Sequence, residues 1–464
     1  MEAPTNVLFV LSDEHRPDAL GCAGHRLVET PALDRLAETG TRCTAAYCSS
    51  PLCAPSRASL ATGRYVHEIG FWDNATPYDG EPASWGRHFS ERGIDVTTVG
   101  KLDFEPSVDD GFDDQRVPFH RETPDVNGLY REPPIQREDA RERIHDAGPA
   151  DSDDAWYRAR EEAVTATAID ALESKADSDE EGWVINVNYI LPHFPLRAEP
   201  SYYDQYPVDE VDLPIDNPAG DNHPILEELR DHFDGRNVDE SVLRRTRAAY
   251  YGLCSAFDDS VDRLLGALEE LGLAEETLVL YASDHGEPLG DHEIWWKCCM
   301  YEPSVGVPLI ARGPGVEAGA TIDSPTSLLD VVPTMADAMG IKSDPRWRGQ
   351  SLLPALTDRR GADPDRSVFS EYHAHGTSRG MFMLRRGRFK YVFYPDHPDQ
   401  LFDLENDPDE RDDLSGDPEY NHTLSELESE LRTIVDPEAA DEQARRDQQR
   451  RLAELTSDSD GPEG

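Results

Sequence analysis

Four runs of the chain are apolar or β-branched at almost every position: residues 6–12, 94–99, 183–190 and 277–283. Short runs of this kind, without alternating polar positions, read as strands buried on both faces. Between them, apolar positions recur at helical spacing over residues 155–172 and 239–271. Residues 30–37 read as an amphipathic helix capped by Thr30 ahead of Pro31. Strands alternating with helices predict an α/β fold: a large, mostly parallel sheet sandwiched by helices. Residues 106–154 are polar, acidic and poor in large apolar side chains, and read as a surface excursion that shapes a pocket mouth. Residues 174–182 read as an acidic loop. After Pro354 the composition turns to a charged linker, followed by strand-like segments at 367–372, 380–386 and 389–394 and a helix over 423–435. The expected division is a catalytic-sized α/β unit over 1–360, a smaller α+β unit over 361–435, and a charged tail over 436–464, helical or disordered.

The pattern also says where chemistry would gather. Asp13, Lys101, His193 and the pair Asp284-His285 each follow the end of one of the four strand-like runs. In open α/β sheets, ligands bind beyond the carboxyl ends of the strands, so these residues are expected at one edge of the sheet.

Charge narrows the choice of partners. The 464 residues include 94 acidic and 44 basic side chains, a formal charge of -50. Such a surface repels nucleic acid and anionic membrane, and neither is expected as a partner. A cytoplasm rich in salt, where screening makes the surface tolerable, is the expected setting. The seven cysteines are odd in number and show no paired Cys-x-x-Cys spacing, so a disulfide scaffold is not expected; Cys43 and Cys48 read as packing. The first residues lack a basic region followed by an apolar stretch, and no apolar run approaches the ~20 residues of a membrane span. The expectation is a soluble, cytoplasmic protein.

The most specific stretch is Cys53-Ala54-Pro55-Ser56-Arg57-Ala58-Ser59-Leu60-Ala61-Thr62-Gly63-Arg64. Pro55 suits the first turn of a helix and Gly63 its end. Cys53 would then lie at a helix N-terminus, where free N–H groups favour an anion, with Arg57 one turn in. Carboxylates at Asp13 and Glu14, just past a buried strand, suit a hard divalent cation.

Cys-x-Pro-Ser-Arg followed by Leu-x-Thr-Gly-Arg resembles the signature of the type I, formylglycine-dependent sulfatases of the alkaline phosphatase superfamily. The resemblance extends over residues 6 to about 414. It includes Asn-Val-Leu-Phe-Val-Leu-Ser-Asp at the start, Gly100-Lys101-Leu102-Asp103, Pro192-His193-Phe194-Pro195, Ser283-Asp284-His285-Gly286-Glu287, Leu289-Gly290-Asp291-His292 and Trp296-Lys297. Leu401-Phe402-Asp403-Leu404-Glu405-Asn406-Asp407-Pro408 resembles the family's C-terminal subdomain, a small antiparallel sheet with a helix.

The resemblance implies that Cys53 is oxidised to formylglycine by a transiently bound formylglycine-generating enzyme. It implies metal ligation by Asp13, Glu14, Asp284 and His285 together with modified Cys53; Glu14 departs from the Asp or Gln usual at its position. Ca2+ is the expected ion, with Mg2+ or Mn2+ possible on the same oxygen ligands. Arg57, Lys101, His193 and Lys297 become catalytic candidates, and Lys101, His193 and Lys297 also substrate contacts. His292 is read as a loop support. Choline sulfatases and phosphonate monoester hydrolases carry a similar Asn near the substrate, which brings in Asn74. Asp103 stands where the family usually has His and is carried as a catalytic candidate in its place. The implied reaction is hydrolysis of a small-molecule or saccharide sulfate ester: the hydrated aldehyde attacks sulfur, the alcohol leaves with a proton from His193 or Lys297, and collapse to the aldehyde expels sulfate. Three alternatives stand beside it: a phosphonate monoester or phosphodiester hydrolase using the same site, a metal-dependent anion-binding protein with unmodified Cys53, and an acidic interaction protein in which the motif is a relic.

Overall fold

The computed structural model describes residues 6–178, 182–217, 223–358 and 362–459. Part of the expected acidic loop, the expected boundary at 360/361 and residues 460–464 of the tail lie outside the described residues.

An eight-stranded sheet organises the molecule. In chain order its strands are β1 (Asn6–Asp13), β2 (Thr41–Cys43), β3 (Asp95–Lys101), β4 (Asp114–Phe119), β5 (Trp183–Pro192), β6 (Thr277–Ser283), β7 (Leu309–Arg312) and β8 (Ala320–Ile322). Their spatial order is β8-β2-β7-β6-β1-β5-β3-β4. The five strands from β6 to β4 are mutually parallel, and β7 runs against its neighbours. Every residue of β1, β5 and β6 is buried, so both faces of the sheet centre are covered, as continuous apolar runs require. Ser12 pairs with Ser283 and Asp13 with Pro192, which brings the ends of β6, β1 and β5 level.

The helices that matter for the site are α1 (Pro31–Glu38), α2 (Cys53–Thr62), α3 (Ala155–Ala176), α4 (Glu240–Glu270) and α5 (Val331–Ala338). Helices α3 and α4 pack on each other and on β5, α1 packs on α4, and α5 packs on β1. The cap of α1 differs from expectation. Thr30 Oγ1 accepts from Gly21 N and donates to Asp34, and it caps nothing. The first-turn donors Ala32 N and Leu33 N instead go to the carboxylate of Asp258 on α4, at 2.8 and 2.9 Å. A buried carboxylate from another helix meets the same unsatisfied N–H groups that a local cap would.

A second sheet, β9 (Ser367–Tyr372), β10 (Met381–Arg386), β11 (Phe389–Phe393) and β12 (Gln400–Asp403), is antiparallel throughout. Helix α6 (Asn421–Ile434) lays Leu427 and Leu431 on it against Phe369, Phe382 and Tyr391. Helix α7 (Pro437–Ser459) follows. It is docked: Ala444 packs with Val66 and Trp72, Arg131 and Asp441 form a buried 2.9 Å ion pair, and Trp72 Nε1 donates to Asp447 at 3.1 Å.

The excursion at 106–154 is more ordered than its composition implies. It contributes β4, which extends the main sheet through parallel backbone bonds to β3. As a half-exposed edge, β4 shows neither alternation nor an apolar run, so no periodicity reveals it.

Candidate active site

Helix α2 is buried along its whole length and opens on Cys53. Its preceding residue, Leu52, has no capping side chain; Ala54 N donates instead to Asn74 Oδ1 at 3.0 Å. Gly63 closes the helix at φ 68°, a left-handed conformation that suits glycine. Ser56 Oγ donates to Asp284 O at 2.7 Å, tying the helix to the end of β6.

Around Cys53 Sγ the strand ends converge. His285 Nε2 lies at 3.2 Å, Lys297 Nζ at 3.3 Å and Asp13 Oδ1 at 3.8 Å. Arg57 donates from Nε to Asp284 Oδ2 at 2.8 Å, from Nη2 to Asp13 Oδ2 at 3.1 Å and from Nη1 to Lys101 O at 2.6 Å. Lys101 Nζ also binds Asp13 Oδ2. Glu14, at φ 65°, turns its carboxylate to Lys297 Nζ at 2.9 Å and His193 Nε2 at 3.2 Å. Asp13, Glu14, Lys101, His193, Asp284 and His285 sit at or just past strand ends, whereas Cys53 and Arg57 come from α2 and Lys297 from the loop beyond β6.

Burial and neighbours set the charge states. Burial, with Asp13 adding to it, pushes the Cys53 thiol up to about 12, so it stays protonated at neutral pH and is no ready thiolate. For Lys297, burial works against the charge, but the carboxylates of Glu14 and Asp13 outweigh it and hold its pKa well above the ordinary range. His193 is pushed well below its usual value by burial and then by Lys297. Burial would raise Asp103, yet Arg121 and Lys101 bring it below the ordinary carboxylate range.

The donor set fits a hard divalent cation. Asp13, Cys53, Asp284 and His285 each present a ligand atom, all within 4.8 Å of one another, and Asp13, Glu14 and His193 form a second such group. His285 Nδ1 lies 3.0 Å from Gly286 O, which can only accept; Nδ1 therefore carries the proton and Nε2 turns its lone pair to the cluster, toward Cys53 Sγ and Lys297 Nζ. Among the described residues no donor reaches the buried Glu14 Oε1, an oxygen that a cation would satisfy.

The cluster opens into a cavity of about 440 Å³ lined by Cys53, Asn74, Lys101, Asp103, His193 and Lys297, among others. Thus the structure brings all the expected residues together. Two have contacts that sequence reasoning did not supply. Asn74 acts on the backbone at the head of α2. Asp103 binds Arg121 through Nη2 and lies 3.7 Å from Lys101 Nζ, the place of a counter-ion. His292 is apart from the cluster, stacked on Tyr301 at 3.9 Å.

Some neighbours were missed. Glu287 accepts from Leu289 N and Trp296 N and orients the loop that carries Lys297. It stands inside the Asp284-His285-Gly286-Glu287 run, and its acidic character within a buried turn was the available signal. Tyr250 donates to Glu14 O at 2.7 Å from the middle of α4, and Arg121, Arg137 and Arg143 line the cavity from the excursion. Nothing in the local sequence distinguishes these from ordinary helix and surface positions.

A family model described as Sulfatase matches residues 5–341. The chain belongs to the sulfatase family. A model for the C-terminal region of N-sulphoglucosamine sulphohydrolase matches residues 290–436, spanning the cluster's Lys297 loop and the second sheet. Among curated sulfatases, the choline-sulfatase of Rhizobium meliloti (strain 1021) is 31% identical over 439 residues, covering 87% of this chain and 80% of that protein. The arylsulfatase K of Danio rerio is 26% identical over 453 residues, covering 93% and 84%. The fold is also similar to the crystal structure of the phosphonate monoester hydrolase of Agrobacterium radiobacter, with a TM-score of 0.75, 26% identity and coverage of 93% and 95%.

Proposed function

We propose that this protein hydrolyses sulfate esters of small molecules or saccharides at residue 53, after a formylglycine-generating enzyme has converted Cys53 to formylglycine. The observation that carries the reading is the Cys53 cluster: a thiol kept protonated by burial, at the head of a helix, within 3.2–3.8 Å of a histidine, a lysine and an aspartate. A buried neutral thiol is a poor nucleophile, which favours a residue that is chemically converted before it acts.

Asp13, Glu14, Asp284 and His285 would hold the divalent cation, Ca2+ first on an oxygen-rich set. Bound there, the cation lends positive charge to a sulfate oxygen, while formylglycine contributes an oxygen nucleophile and a route to release sulfate. The chain's own residues do the rest. Arg57 holds Asp13 and Asp284 in place with its fork. Lys101 and Lys297, both buried, supply fixed positive charge where the anionic ester must approach. Lys297, with its raised pKa, stays charged and acts as a cation. His193 donates from Nδ1 to Phe194 O, which leaves Nε2 unprotonated, a base that takes up a proton and then passes it to the leaving alcohol. Asn74 fixes the head of α2 through Ala54 N. Asp103 is kept ionised by Arg121 and Lys101, which suits a counter-ion and makes it a weak base. The -50 charge supports a salt-rich cytoplasm as the setting; unfolding on dialysis to low salt is the expected behaviour, and a fold indifferent to salt would oppose it.

A second reading, hydrolysis of phosphonate monoesters, is favoured by the fold shared with the Agrobacterium enzyme. A panel of aryl sulfates, phosphodiesters and phosphonate monoesters separates the two. Sulfate esters are expected to give the highest kcat/KM. Faster turnover of phosphonates would select the second reading, and no turnover of any by metal-loaded, formylglycine-bearing protein would overturn both.

A further inference from the structure

The cavity is basic in a chain that is strongly acidic. Five lysine or arginine side chains line it against three carboxylates, in a protein of formal charge -50. Lys101 and Lys297 belong to the Cys53 cluster. The other three, Arg121, Arg137 and Arg143, come from the excursion and face the space beyond it.

Their partners are unequal. Arg137 is committed to Asp125 and Asp139, each at 3.2 Å. Arg143 binds Asp139 at 2.5 Å, and its guanidinium lies 4.8 Å from the centre of the Phe194 ring. Among the described residues the Arg121 side chain pairs with Asp103 alone, and Asp103 is shared with Lys101 at 3.7 Å. Arg121 Nε is buried and has no hydrogen-bond partner among the described residues. A buried charged donor without an acceptor costs free energy until an acceptor arrives. A guanidinium fork is matched by the paired oxygens of a carboxylate or a sulfate.

We propose that Arg121 anchors a second anion subsite, so that the preferred substrates are sulfate esters whose alcohol carries another anionic group, a carboxylate or a second sulfate. This rests on the sulfatase reading of the Cys53 cluster. The subsite adjoins the sulfate end, because one carboxylate, Asp103, joins Arg121 to Lys101. Arg143 over Phe194 adds positive charge to an apolar wall, where it attracts an anion and opposes a cation.

The test compares kcat/KM for four aryl sulfates at fixed salt: phenyl sulfate, 4-carboxyphenyl sulfate, a benzenediol disulfate and 4-(trimethylammonio)phenyl sulfate. The carboxylate or the disulfate is expected to exceed the neutral ester by about tenfold or more, with the cationic ester slowest. Whichever anionic ester leads identifies the second group. In Arg121→Gln the anionic-to-neutral ratio should fall towards one, and in Arg121→Lys, which keeps the charge but not the fork, to an intermediate value. Equal rates for neutral and anionic esters, or an unchanged ratio in Arg121→Gln, would overturn the subsite. If no ester is turned over, the sulfatase reading fails. Calorimetry with 4-hydroxybenzoate and phenol then still decides the subsite: tighter binding of 4-hydroxybenzoate that Arg121→Gln abolishes supports it, and equal binding refutes it.

Discussion

Gln448 links the last helix of the chain to the head of the nucleophile helix. It is buried on α7; its Nε2 donates to Asp73 Oδ2 at 2.9 Å and to His373 O at 2.7 Å. Asp73 is fully buried, its pKa raised by burial and held down by that same amide donor. The next residue, Asn74, accepts from Ala54 N beside Cys53. Gln448→Ala removes one buried bond to a carboxylate, one to a carbonyl and a long one of 3.5 Å accepted from Arg131 Nη1, which together are worth about 3 kcal/mol. Helix propensity changes little and does not offset the loss. The cost should appear as easier undocking of α7. Amide hydrogen exchange in peptides covering 71–76 and 437–459 should then speed up by about a hundredfold, with the main sheet unchanged. Turnover should fall with it, because Asn74 loses its support. Exchange altered by less than about threefold in these peptides would refute the coupling, as would full turnover alongside fast exchange.

Asp13→Asn and Asp284→Asn should each lose bound divalent cation and nearly all activity while the circular dichroism stays native; full metal content by elemental analysis would contradict the ligand set. Asp103→Asn should raise KM more than it lowers kcat, since it disturbs Lys101 and Arg121; loss of a limb of the pH–rate profile would instead make Asp103 a base. Glu371 lies between His67 and His373, each at 2.9 Å; burial alone would raise its pKa, but the two imidazoles bring it from 4.5 to about 2. A lowered folded pKa means stability that is present above 4.5 and lost as pH falls towards 2, about 3 kcal/mol in all. Its partner His67 has a raised pKa, so its contribution is full below its ordinary 6.5 and is lost as pH rises through the folded value. Urea midpoints should therefore peak at about pH 5–6, between these limits, and Glu371→Gln should flatten the acid side; an unchanged acid side would rule the contact out as a source of stability.

The parallel sheet centre and the gathering of Asp13, Lys101, His193 and Asp284 at its edge were legible because buried strands leave unbroken apolar runs and the chemistry follows directly after them. Cys53 and its helix were legible through Pro55 and Gly63, whose backbone preferences are local. What stayed hidden depends on tertiary partners. Asp258 caps α1 from a helix more than two hundred residues away. β4 is an edge strand held by backbone bonds and carries no side-chain period. Arg121, on a polar stretch, differs in sequence from no other surface arginine; only burial beside Asp103 gives it a role. Helix α7 has charge nearly all round, and a narrow face formed by Ala440, Asp441, Ala444 and Gln448 docks it, a pattern too polar to read as core.

The central claim is that residue 53 acts as formylglycine, and one measurement bears on it directly. Peptide mass mapping of active protein from its native host should show the Cys53 peptide lighter by the exchange of a thiol for an aldehyde oxygen, and that peptide should react with a hydrazide probe. An unmodified thiol at residue 53 in protein that turns over sulfate esters would contradict the mechanism.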